Sequence, residues 1–250
     1  MLKSTVVRFV PVCLVIGMLS CGGTHPAFGE EKSSDKSKPV TKENISEKQV
    51  PLLASASPIV RVASGTPVPP VVIESAKKAF IHLMETRNRD VEYAKKADQG
   101  KLKGPSSLLR TITASNEFCA MMLERILLKA EIPTIGLTAS YTPPVPADAK
   151  SNLENESKIL LEQLKLHFPE FIKAARGAKD PAAERYFQLS TKVLESQSKI
   201  ILEAISGFEK MKSIECINFV CKECGFIVKE KTGKACPLCN ADEKSVQKFY

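Results

Sequence analysis

Two Cys-x-x-Cys pairs stand near the C-terminus, Cys221-Lys-Glu-Cys224 and Cys236-Pro-Leu-Cys239, with eleven residues between them. Nothing else in the chain limits its fold so tightly. Four thiolates at this spacing can surround one ion tetrahedrally. Gly225 after the first pair permits a backbone turn that aims amide N–H groups at sulfur, and Pro237 fixes the second turn. Such donors offset thiolate charge and tune a bound metal. A module of fewer than about 40 residues builds little core, so a bound ion must supply much of its stability. Two disulfides are the alternative, with weight in an exported chain, but a doubled pair flanked by these turn residues is a metal pattern first. Tetrahedral sulfur suits iron and zinc alike, so the expectation is one iron at Cys221, Cys224, Cys236 and Cys239, with zinc as the alternative. Cys13 belongs to an apolar leader, and Cys119 and Cys216 read as buried hydrophobes rather than ligands.

The other end of the chain reads as an address. Lys3 and Arg8 precede an apolar run of eleven residues, Phe9 to Leu19, suited to a signal-peptide core and too short to span a bilayer. Leu19-Ser20-Cys21-Gly22 has the form of a bacterial lipobox, in which Cys21 is lipidated and becomes the mature N-terminus. Ala27-Phe28-Gly29 before Glu30 fits ordinary signal peptidase instead. The lipobox is favoured because it follows the apolar run directly. From Glu30 to about Pro70 the residues are mostly Lys, Ser, Glu, Thr and Pro, which bury too little surface to offset their ordering entropy. The expectation is a lipoprotein tethered to a membrane surface and facing the periplasm or cell exterior, or a soluble periplasmic protein if cleavage falls after Gly29.

Four helical periods fill the middle. The first covers about 71–98, with Val72, Ala76, Ala79 and Leu83 on one face; the second covers about 105–130, with Leu108, Ile112, Ser115, Cys119, Met122 and Ile126. The third, about 150–176, carries Leu153, Leu160, Leu164, Phe168, Phe171 and Ala175. The fourth, about 181–211, opens with Asp180 as N-cap and Pro181 at N1, then runs Tyr186, Leu189, Val193, Gln197, Ile200 and Ala204. Short turns join the first two and the last two. Between the second and third lies a stretch of about 131–149 with Pro133, Pro143, Pro144 and Pro146. One long crossover in an otherwise short-looped bundle is the ferritin-like arrangement; a linker between two helical hairpins is the alternative. The predicted fold is therefore mostly α, a four-helix bundle followed by a small metal-knuckle domain. Its segments are a signal peptide at 1–21, a tether at 22–70, the bundle at 71–212 and the knuckle domain at 217–250.

Composition narrows the function classes. The formal charge of +8 is spread through mixed-sign stretches, there is no tryptophan, and aromatics make up 6%. No basic block interleaved with aromatics exists, so nucleic acid is not an expected partner.

The order of these parts resembles rubrerythrin, a ferritin-like bundle followed by a rubredoxin-like domain. The resemblance covers about 70–250. In the tail it rests on Phe219-Val-Cys221, Cys224-Gly225-Phe226, Cys236-Pro237-x-Cys239 and Phe249. In the bundle it rests on Ala79-Phe80, Arg87-Asn88-Arg89, Phe168-Pro169-Glu170-Phe171-Ile172, Tyr186-Phe187-x-Leu189 and Lys192-Val193. It implies a di-iron site in the bundle, held by glutamates and two Glu-x-x-His pairs, and peroxide reduction as activity. At those positions this chain has Leu83, Asn116-Glu-Phe-Cys119, Leu160 with Gln163, and Leu194 with Gln197. A slip of one residue would restore Glu117 alone. No Glu-x-x-His occurs, and of three histidines His25 lies in the leader or tether. His82, three residues before Glu85, reads as a helix-surface residue rather than a ligand, and His167 as a partly buried one.

The bundle interior is therefore expected to be a packed apolar core without di-iron chemistry. Three functions compete: a single-iron electron carrier serving an unidentified redox partner protein, a structural zinc ribbon on a partner-binding bundle, and a rubrerythrin-type peroxide reductase, which the missing ligands disfavour. A homodimer is compatible with this type of bundle. An electron carrier rather than an enzyme is the favoured reading.

Overall fold

The computed structural model describes residues 67–230 and 233–249. The leader, Cys21, His25 and nearly all of the tether lie outside the described residues. Six helices and three short strands follow in order: α1 (Pro70–Gln99), α2 (Lys103–Lys129), α3 (Ala149–Glu162), α4 (Phe168–Gly177), α5 (Pro181–Ser206), α6 (Phe208–Met211), β1 (Asn218–Cys221), β2 (Ile227–Val228) and β3 (Val246–Phe249).

Helix starts follow local chemistry. Asp180 accepts the Ala183 N–H at 3.0 Å with Pro181 in the first turn of α5. Asp148 does the same for α3, accepting from Lys150 and Ser151 at 3.1 and 3.0 Å. The third period differs from the single α-helix read from sequence. Residues Gln163–His167 form a π-helical turn between α3 and α4. Pro169 accounts for it: the residue has no N–H to give the carbonyl of Lys165, and its ring would clash with that carbonyl. The preceding turn widens instead. The fourth period is shorter than its pattern, because α5 ends at Ser206 with Gly207 as C-cap and α6 follows separately.

Residues 131–148 form neither helix nor strand and carry the chain to the start of α3. The second hairpin packs on the first, and the two share one core, so the stretch is a bundle crossover rather than a linker. Buried residues of that core include Ala79 and Leu83 of α1, Ile112 and Leu123 of α2, Leu153 and Leu160 of α3, Phe168 and Phe171 of α4, and Phe187, Leu194 and Ile201 of α5. The α5 face is turned slightly from its expected stripe. Tyr186, Leu189 and Ile200 are only half-buried, on the shoulder of a stripe centred on Phe187, Leu194 and Ile201.

The C-terminal strands make an antiparallel sheet in the order β2-β1-β3, with Val220 opposite Ile227 and Cys221 opposite Val246. This small sheet lies along α2. Cys216 N–H donates to Ser107 Oγ at 2.8 Å, and Ser115 Oγ–H donates to the Gly225 carbonyl at 2.5 Å. Arg125 pairs with Glu223, and Lys229 with Glu203 of α5. Phe118 meets Phe249 edge-on at 6.2 Å.

Candidate metal centre

The first Cys-x-x-Cys turn leaves β1 and the second lies before the 3-10 turn Glu243–Ser245 that leads into β3. Each closes the same way. Gly225 N–H bonds back to the Cys221 carbonyl at 2.7 Å, and Asn240 N–H to the Cys236 carbonyl at 2.9 Å. Gly225 has φ +81° and Asn240 has φ +61°, a left-handed conformation that glycine and asparagine tolerate best. The two turns thus present their thiols to one another as near-copies.

The four sulfur atoms lie within 4.8 Å of one another. Cys221 Sγ is 3.7 Å from Cys239 Sγ, and Cys224 Sγ is 3.8 Å from Cys236 Sγ. Metal–sulfur bonds of about 2.3 Å in a tetrahedron require sulfur–sulfur edges of about 3.8 Å, so the spacing fits one four-coordinate ion. Among the described residues this quartet is the one group of three or more His, Cys, Asp or Glu gathered closely enough to hold a metal. Amide N–H groups already point at the sulfurs: Glu223 and Cys224 toward Cys221, Phe226 toward Cys224, and Leu238 and Cys239 toward Cys236. Hydrogen bonds donated by Cys221 and Cys224 hold the Cys236 thiol down to about 2. Cys224 rises, because its bonding to Cys221 and Cys236 and its burial favour the neutral form. A cation bound here would require the thiols in their ionised form. Cys221, Cys224 and Cys236 are buried, whereas Cys239 is partly exposed.

The remaining cysteines stand apart. Cys119 is fully buried in the bundle, and burial pushes its thiol up to about 12. Cys216 is half-buried.

Inside the bundle, Leu83, Asn116, Cys119, Leu160, Gln163, Leu194 and Gln197 all face the interior. Glu117 points outward instead, 3.6 Å from Arg87, so the slipped register that would bring it inward is not adopted. The expectation of an apolar core needs correction, however. A polar layer crosses the bundle, and its carboxyls, Asp90 and Glu156, are both fully buried. Arg89 donates to Glu156 through Nε at 3.1 Å and through a terminal nitrogen at 2.7 Å. Thr86 accepts from Arg89 and from Gln163. Asn116 donates to Asp90 at 3.4 Å, and Gln197 donates to Asn116 at 2.9 Å and to Ser115 at 2.8 Å. Burial, and then the charge of Glu156, raise Asp90 well above the usual carboxylate range, although Arg89 opposes this. Burial raises Glu156 as well. Asp90 Oδ1 and Glu156 Oε1 are buried without a hydrogen-bond partner among the described residues, and a proton held by Asp90 would relieve the repulsion between the two carboxyls. A protonated Asp90 would leave Glu156 as the counter-charge to Arg89. Sequence reasoning missed it, although Asp90 lies seven residues after Leu83 and Glu156 between Leu153 and Leu160, on the inward stripes.

His82 is not a plain surface residue either. Its ring stacks on His167 with centroids 4.6 Å apart, and burial followed by the charge of His167 lowers its pKa. His167 lies 3.9 Å from Glu162.

Fold and site together define a class: a ferritin-like bundle carrying a C-terminal four-cysteine knuckle capable of binding one metal ion. In sequence the chain is similar to a rubrerythrin. It is 24% identical to Rubrerythrin-2 of Clostridium acetobutylicum over 99 residues, 39% of this chain and 54% of that one, so it spans about half the length of the curated relative it matches. No protein-family model matches the chain. Its fold is that of nigerythrin. The fully reduced, all-ferrous state superposes with a TM-score of 0.64 at 18% identity, covering 81% of this chain and 98% of nigerythrin. The partially reduced state gives 0.63 over the same shares.

Proposed function

We propose that this protein is an exported one-electron carrier that holds a single iron at Cys221, Cys224, Cys236 and Cys239, on a bundle that has lost di-iron chemistry. The observation that carries the reading is the cage itself, with sulfur edges of 3.7 and 3.8 Å and amide donors already aimed at the thiols. Cys221, Cys224, Cys236 and Cys239 would hold the iron, which would supply one-electron exchange between ferric and ferrous states without a change of ligands. The chain supplies the rest. Two near-identical turns hold the sulfurs at fixed spacing, which limits reorganisation. The N–H donors offset the negative charge of four thiolates. Burial of three cysteines keeps water from the metal, and partly exposed Cys239 offers an edge through which an electron partner is reached. The bundle serves as scaffold, and lipidated Cys21 would hold the assembly at a membrane surface.

Peroxide reduction at a di-iron centre is not part of this reading. Leucine, amide and cysteine side chains occupy the relevant interior positions, and of the two buried carboxyls nearby Glu156 is already paired with Arg89.

Metal analysis with a visible spectrum of protein purified from its native membrane fraction tests the proposal. One iron per chain and a red colour bleached by dithionite are expected, both lost on Cys221→Ser. A colourless protein with one zinc would make the knuckle a structural ribbon. Two or more irons per chain would overturn the account of the bundle.

A further inference from the structure

A cleft of about 600 Å³ opens where the knuckle meets the bundle. Its walls are Met122 and Arg125 of α2, the first two turns of α5 from Pro181 to Leu189, and the knuckle residues Glu223, Cys224, Cys239 and Ala241. Two of the four metal-site cysteines, Cys224 and Cys239, are thus among its lining residues. Such a volume falls among those of small-ligand sites, about 300–1,000 Å³.

The lining is of two kinds. Met122, Leu189, Ala241 and the Tyr186 ring give apolar and aromatic surface suited to a flat body. The charged groups are Arg125, Arg185 and Glu223. Arg125 is already matched, since it donates to Glu223 at 2.8 Å and bonds to Tyr186. Arg185 is exposed at the cleft and makes no ion pair among the described residues. The positive end of the 26-residue helix α5 lies on the same side. One guanidinium without a counter-charge, beside an aromatic wall and two cysteines, calls for a planar ligand with an anionic tail.

We propose that this cleft binds a planar aromatic redox carrier bearing a phosphate or carboxylate, of the phosphorylated flavin type, its ring against Tyr186 and its anion on Arg185. The inference rests on the electron-carrier reading for the ligand's redox character, not for its binding. It places the ligand against Cys224 and Cys239, where that reading needs an electron partner to arrive.

Flavin mononucleotide is the probe, and quenching of its fluorescence by the full chain is the measurement. Saturable quenching with one site per chain is expected, because the isoalloxazine would lie on Tyr186. Arg185→Gln should weaken binding about tenfold or more, the loss expected for one charge-assisted contact. Arg185 is on the surface, so the variant should keep its fold, as circular dichroism would show. Riboflavin, which lacks the phosphate, should bind wild type and variant equally weakly. Equal affinity for flavin mononucleotide and riboflavin, or a glutamate-rich peptide occupying the cleft where the flavin does not bind, would overturn the proposal. Titrating protein loaded with zinc and protein loaded with iron separates the two ideas. Binding to both supports the cleft whichever metal the native protein carries. Absence of binding to both sinks it even if the iron form is redox-active.

Discussion

Asp90 is the residue whose environment departs furthest from what its side chain prefers. A carboxyl with no exposed surface, beside a second buried carboxyl, keeps its proton because ionising it would bury a charge that Arg89 already spends on Glu156. Its pKa is raised in the folded chain, so the native state holds a proton that the unfolded state releases once pH exceeds the ordinary carboxylate value. Stability linked to Asp90 is therefore complete at low pH and is lost as pH rises toward the folded value, at up to about 1.4 kcal/mol per pH unit for one proton. Asp90→Asn stays neutral at every pH, can still accept from Asn116 and can donate to Glu156. Urea midpoints measured from pH 5 to pH 9 should show wild type falling relative to the variant as pH rises. A difference that stays flat would mean that Asp90 is not the residue carrying the proton. Cys119 makes a second residue-scale case. Its thiol is buried and raised to about 12, so it should resist alkylation in the native protein at neutral pH and react only in denaturant.

Between elements, α2 is the common wall, touching the bundle on one face and the knuckle on the other. The joint is tightest at Gly225, where a Cβ would lie 2.3 Å from the Ser115 carbonyl oxygen and φ is +81°. Gly225→Ala should cost at least about 1–2 kcal/mol from the left-handed backbone alone, with the clash against α2 added. Ser115→Ala removes only the hydroxyl that joins Gln197 to the Gly225 carbonyl, and should cost about 0.5–1.5 kcal/mol. Urea midpoints of the metal-loaded protein check both, and a Gly225 variant no less stable than the Ser115 variant would mean the knuckle does not sit against α2 in this way. The cysteine cage was legible in the sequence because its ligands come in two local pairs whose turn residues, Gly225 and Pro237, sit beside them. The helices were legible from their apolar stripes, and α5 from Asp180 and Pro181. The polar layer was not. Arg89 and Glu156 are 67 residues apart, and neither carries a local mark of burial; only their places on the inward stripes betray them. The π turn was hidden for another reason: Pro169 was read as part of a family match, not as a missing hydrogen bond one turn earlier.

At the scale of the whole molecule, the two parts differ in what holds them together. The bundle closes its own core with large buried side chains from five helices, including Leu83, Ile112, Leu160, Phe168, Phe187 and Leu194. Its polar layer is held by the Arg89–Glu156 pair and by the amides of Asn116, Gln163 and Gln197, although Asp90 Oδ1 and Glu156 Oε1 are left without partners among the described residues. Among the described residues the knuckle contributes only Val220, Ile227 and Val246 besides its cysteines to the buried apolar set. Half-buried Phe219, Phe226, Val228, Leu238 and Phe249 pack against this set, but it remains a small core for some thirty residues, and an ion held by the four cysteines would supply much of the knuckle's stability. Removing it should therefore unfold one part and spare the other. After chelation under reducing conditions, amide exchange should become fast across β1 and β3 and stay slow in the buried stretches of α1 and α5. The α2 segment around Ser115 should be intermediate, since its interior face remains packed while its outer face loses Gly225. Uniform loss of protection would show that the bundle depends on the knuckle. Unchanged protection in β1 and β3 would show that the knuckle folds without an ion, and the argument from its small core would fail.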